Sequence, residues 1–124
     1  MAGYLHNDVY DLGLTELDLD ANVLHILSQQ PATYAEVTTY TLGNKASPTV
    51  GAPEAGNPDG RQVTVSAITD GSVTATGTAT HWALVDTSGS RLLATQALAS
   101  SQGVTQGNTF TLTSFTIRIP APTA

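Results

Sequence analysis

Hydrophobic positions along this chain fall mostly into short alternating runs, the pattern of half-buried strands, and only the opening residues show helical spacing. The clearest pair of runs is Gly77–Asp86 and 91–95, separated by Thr87-Ser88-Gly89-Ser90. A β-compatible run that is broken by a short Ser/Gly loop and then resumes predicts a hairpin. In its first strand His81, Ala83 and Val85 share one face while Trp82 and Leu84 share the other. Both faces carry bulk, which places the strand inside a sheet with at least one face in a core.

The other elements follow in chain order. Residues 1–7 read as an arm whose apolar content includes Tyr4 and Leu5. From Asn7, a suitable cap, a helix is predicted: Asp8 favours its first turn, and Val9, Leu12 and Glu16 recur at helical spacing with Tyr10, Leu14 and Leu17 nearby. Residues 22–28 form a short apolar run that predicts a buried strand. Residues 34–42 are rich in β-favouring Tyr, Val and Thr, although their first half also suits one helical turn. The stretch 43–60 holds four glycines and three prolines and reads as a long loop. Residues 62–67 alternate, and Asp70-Gly71 predicts a hairpin turn into 72–76. In the last run, 108–119, the apolar phase moves from Phe110 and Leu112 to Phe115, Ile117 and Ile119, which requires a bulge, bend or break near Thr113-Ser114. A Pro-rich tail, 120–124, ends the chain. Seven or eight strands at roughly ten-residue spacing after one helix predict a mainly β fold, an antiparallel β-sandwich or jelly roll with one short N-terminal helix.

Composition narrows the function classes. A chain of 124 residues fits one domain with a core of its own, and without cysteine it has neither a disulfide framework nor thiolate chemistry. Only 11% of its residues are charged, so a surface of Thr, Ser, Asn and Gln is expected, and twenty threonines favour strands. Residues 1–60 carry eight acids against Lys45 alone, whereas 61–124 carry Arg61, Arg91 and Arg118 against Asp70 and Asp86. Four bases in all form no patch that neutralises several phosphates, which argues against nucleic acid and against an anionic membrane surface. The start lacks a basic, then apolar, leader and no apolar run reaches the ~20 residues of a membrane span. Synthesis and folding in a cytoplasm are expected.

Candidate chemistry is sparse. His6, His25 and His81 lack the close spacing of zinc ligands. Asp18-Leu19-Asp20-Ala21-Asn22 opens like a calcium loop but meets Val23 where Gly is needed and Gln29 where a bidentate Glu belongs. There is no Gly-x-Ser-x-Gly elbow and no Gly-rich phosphate loop, and His81 and Asp86 point to opposite faces of an unbroken strand. No metal, cofactor or enzymatic activity is expected. Trp82 with the four tyrosines suggests a sugar-stacking platform as an alternative.

Four segments taken together, Tyr4-Leu5-His6-Asn7-Asp8, residues 24–36, Gly77–Asp86 and Thr116-Ile117-Arg118-Ile119-Pro120, resemble a group of small proteins encoded by tailed bacteriophages and prophages. The resemblance covers most of the chain except 43–60. It implies a virion structural protein: a capsid cement (decoration) protein, or another small head or tail component, with no catalytic motif to carry over. The expected partners are the major capsid protein and a second or third copy of the chain. Tyr4, Leu5, Tyr10 and Trp82 are the expected partner-contact residues, and the expected location is the capsid surface of the virion. A receptor- or carbohydrate-binding module of a tail or head fibre is the alternative.

Overall fold

The computed structural model describes residues 6–57 and 59–120, so residues 1–5 of the arm, with Tyr4 and Leu5, and residues 121–124 of the tail lie outside the described residues. In chain order the elements are α1 (Asn7–Asp20), β1 (Val23–Leu27), α2 (Tyr34–Tyr40), β2 (Thr41–Ala46), β3 (Glu54–Ala55), β4 (Arg61–Val65), β5 (Ile68–Val73), β6 (Gly77–Asp86), β7 (Arg91–Val104), β8 (Thr109–Leu112) and β9 (Phe115–Ile119). The fold is mainly β, as expected. Its strands form a six-stranded sheet, ordered β7-β6-β1-β2-β5-β8, and a three-stranded sheet, β3-β4-β9. Every pairing is antiparallel.

The main core lies between the sheets. Leu24, Ile26, Trp82 and Leu84 from β1 and β6 meet Val63 and Val65 of β4 and Phe110 and Leu112 of β8. Leu14, Leu17 and Ala21 of α1 join this cluster. The opposite phase of β1 and β6 supplies Leu27, Ala83 and Val85 to a smaller cluster under Val37 of α2. The two faces read from β6 are thus both packed, one by the second sheet and one by a helix.

Five local expectations change. His6, not Asn7, caps α1: its Nδ1 accepts the Asp8 amide at 3.0 Å, a bond that fixes the ring proton on Nε2. The buried face of α1 runs Tyr10, Leu14, Leu17, Ala21, leaving Val9 and Leu12 outside. Residues 34–40 form a second helix, because Thr33 accepts the Glu36 amide while Glu36 Oε1 accepts the Ala32 amide at 2.7 Å. These bonds outweigh the weak helix propensity of Thr38 and Thr39. Within 43–60, residues 43–46 extend β2, Val50 bridges Val65 and Glu54–Ala55 pairs with β4, so this stretch follows the sheets instead of standing off as a loop. Asp70-Gly71 is not a turn but lies inside β5, where Gly71 faces Phe110 and Asp70 reaches Lys45 at 3.0 Å.

The break near Thr113-Ser114 is where the chain changes sheets: β8 pairs with β5, and β9 with β4. None of the helices is long and apolar enough to cross a membrane among the described residues.

Candidate functional site

The hairpin of β6 and β7 shapes a concavity on the six-stranded sheet. Ala79 pairs with Gln102 and His81 with Ala97, so residues 98–101 of β7 stand opposite Thr80 alone. Such a bulge ends regular pairing and pushes the strand out of the sheet. Gln102 Nε2 donates to the Thr111 carbonyl at 2.9 Å, tying β7 to β8 near their shared turn. Beyond this tie the two diverge around a groove of about 700 Å³ lined by the bulge, by Thr113 and Ser114, and by Trp82 and Phe115. The rings of Trp82 and Phe115 lie 4.5 Å apart at 33°.

The groove lining carries no charged side chain. Trp82 is 4% exposed, so its ring offers no open face for stacking on a sugar. Its indole N–H has no hydrogen-bond partner among the described residues, and since no fully buried side-chain polar atom there lacks one, this N–H is not fully sealed from solvent. Tyr10 is likewise 4% exposed, on the inward side of α1. Of the four residues expected to touch a partner, Tyr10 and Trp82 are therefore interior side chains, and Tyr4 and Leu5 lie outside the described residues. Gln96, Gln102 and Phe115 line the groove without a local signal in the sequence, because its walls come from strands that are not paired with each other.

Charged residues are gathered around α1. Arg61 Nε and Nη2 hold Asp11 at 2.9 and 3.2 Å on one flank. On the other flank, Arg91 Nη2 donates to Glu16 at 2.8 Å, Asp20 at 3.2 Å and Asp86 at 2.8 Å. The Asp86 carboxylate also accepts the Ser88 and Gly89 amides, closing the β6–β7 turn with Ser90 at φ 53. Hydrogen bonding from Arg91 holds Asp86 below the usual carboxylate range, and the Asp86 and Glu16 carboxylates raise Arg91 further above its ordinary value. The Asp11 carboxylate raises Arg61 in the same way. Arg118 pairs with Asp59, and with Lys45 on Asp70 all four basic side chains of the chain are bound to its own acids.

The histidines are used structurally. The Thr41 hydroxyl donates to the Gly43 carbonyl at 3.0 Å, so it accepts the His25 Nδ1 proton across 2.8 Å. By the same logic Thr80 donates to the Ser28 carbonyl and accepts from His81. Asp86 is occupied by Arg91, so His81 and Asp86 form no pair. No group of three or more metal-ligating side chains occurs among the described residues, and Asp18-Leu19-Asp20 is helix instead of loop.

Burial lowers the His25 pKa below 6.5, with a consequence for stability. As pH falls through about 6.5 the unfolded chain takes up a proton that the native state refuses, so unfolding becomes easier until the lowered native pKa is passed. The urea midpoint of the wild type should therefore fall more between about pH 7.5 and about pH 5 than that of His25→Gln. Equal falls in the two proteins would mean that His25 is as readily protonated folded as unfolded.

Fold and site together define a mainly β, two-sheet protein with an uncharged groove and an acidic helix clamped by two arginines. Comparison with protein-family models, with curated proteins and with solved structures found no match for this chain.

Proposed function

We propose that this chain is a structural protein of a bacteriophage virion: a capsid cement (decoration) protein, without enzymatic activity. It binds the outer surface of the head and reinforces it by non-covalent bridging of neighbouring capsid subunits, as a dimer or trimer. The observation that carries this reading is the internal use of every base, which leaves a rigid β scaffold whose outward charge is carboxylate. Such a surface suits a basic strip on a partner, and many weak copies on a symmetric shell bind with avidity. His25, His81 and Asp86 are committed to structural hydrogen bonds, in keeping with a binding role.

The test is cryo-electron microscopy of virions that contain this protein, with its copies counted against the major capsid protein. About one copy per capsid subunit, in density on the outer shell, is expected for a lattice-wide cement. A handful of copies at a vertex or tail would overturn it. The groove favours a second reading, a receptor- or carbohydrate-binding module, because its uncharged lining combines Trp82 and Phe115 with Gln, Ser and Thr residues. Selective binding on a glycan array, lost in Gln96→Ala, would support that reading over the first.

A further inference from the structure

The large apolar side chains that stand exposed among the described residues are Val9, Leu12 and Leu19, at 58, 76 and 74%. All three lie on α1. At 3.6 residues per turn, positions 9, 12, 16 and 19 form one stripe, roughly opposite Tyr10, Leu14, Leu17 and Ala21, which face the core. A helix needs one apolar stripe to pack on its own domain. The second stripe, interrupted by Glu16, has no partner among the described residues.

Charge says what kind of surface fits it. Helix α1 carries Asp8, Asp11, Glu16, Asp18 and Asp20 and no base. Arg61 pairs with Asp11, and the single charge of Arg91 is shared by Glu16, Asp20 and Asp86, so the helix stays net acidic; among the described residues Asp18 has no ion pair, and Asp8 lies 3.7 Å from His6 Nδ1, the atom that accepts its amide. Two copies of α1 laid face to face would bring like charges together, which disfavours a second copy as the occupant. An apolar groove bordered by Lys or Arg complements both the stripe and its rim.

We infer that the outward face of α1, with Leu12 and Leu19 at its centre and Asp8 and Asp18 on its rim, docks into an apolar, cation-bordered groove on a neighbouring capsid subunit. This rests on the cement reading above. The two leucines are the anchors and the carboxylates set orientation and salt dependence. Because both leucines already face solvent, polar replacements leave the fold intact.

The experiment is cosedimentation of the purified protein with capsids lacking it, at about 50 and about 300 mM salt. Leu12→Gln/Leu19→Gln should bind at least ~10-fold more weakly at an unchanged melting temperature. Asp8→Asn/Asp18→Asn should lose much of the salt dependence seen for the wild type. Wild-type binding by the leucine variant would overturn the inference and leave the cement reading standing. A wild type that does not bind capsids at all would overturn the cement reading, and the capsid as occupant with it. If the leucine variant instead lowers the mass of the free protein in sedimentation equilibrium, the stripe joins copies of this chain and a capsid groove is the wrong occupant.

Discussion

Gly71→Val should destabilise the protein by about 3 kcal/mol or more, even though valine suits a strand far better than glycine. The reason is steric. Gly71 pairs with Phe110 across β5 and β8, and a Cβ on Gly71 would lie 2.2 Å from Cε1 and Cζ of that ring. Phe110 is 2% exposed and also passes 3.3 Å from the place of a Cβ on Gly43 in β2, where the Ser72 carbonyl would be 2.4 Å away. The ring therefore lies across two glycines and has no room to retreat. Valine must either expel Phe110, at a cost comparable to Phe→Ala in a core, or part β8 from β5. A double variant, Gly71→Val/Phe110→Ala, should be less destabilised than the sum of its single changes, because the smaller side chain vacates the contested space. Urea unfolding of the four proteins decides it. A single Gly71→Val variant within ~0.5 kcal/mol of wild type would mean that the ring does not occupy this position.

The same glycine shows where sequence reading stops. Asp70-Gly71 carries the turn signature, but its glycine is there for a close approach, and only the partner strand reveals that. The β6–β7 hairpin was legible because alternation and a Ser/Gly turn are local properties. The change of sheet at Thr113-Ser114 was legible because a strand cannot shift its apolar phase without breaking. Helix α2 had a local signal too: Thr33-Tyr34-Ala35-Glu36 fits a capping box, and the β-branched threonines that follow obscured it. Helix α1 offers two apolar stripes of similar strength, so which one faces the core depended on partners far along the chain. Arg61 and Arg91, 50 and 75 residues along the chain from their partners Asp11 and Glu16, flank the answer. The groove was not legible at all, since it needs both the bulge at 98–101 and the splaying of β7 from β8.

Trp82→Ala should cost about 3–5 kcal/mol, the range for removing a large aromatic from a core. Trp82 is in the main cluster with Leu24, Ile26 and Leu84, and its contact with Phe115 adds an aromatic pair that joins the six-stranded sheet to the first residue of β9. Losing it opens the floor of the groove toward the core. Trp82→Phe keeps a ring against Phe115 and should lose less than half as much. Trp82 is the single tryptophan, so its fluorescence reports the same site directly: emission should be that of a buried indole in the native state and shift to the red on unfolding. A surface stacking platform predicts the opposite on both counts, a loss below ~1 kcal/mol for alanine and solvent-exposed emission in the native protein. The distinction also governs how ligand experiments are read. If Trp82 holds the sheets together, lost binding in Trp82→Ala follows from a weakened fold. Gln96→Ala, at the groove wall, then becomes the variant that separates recognition from stability.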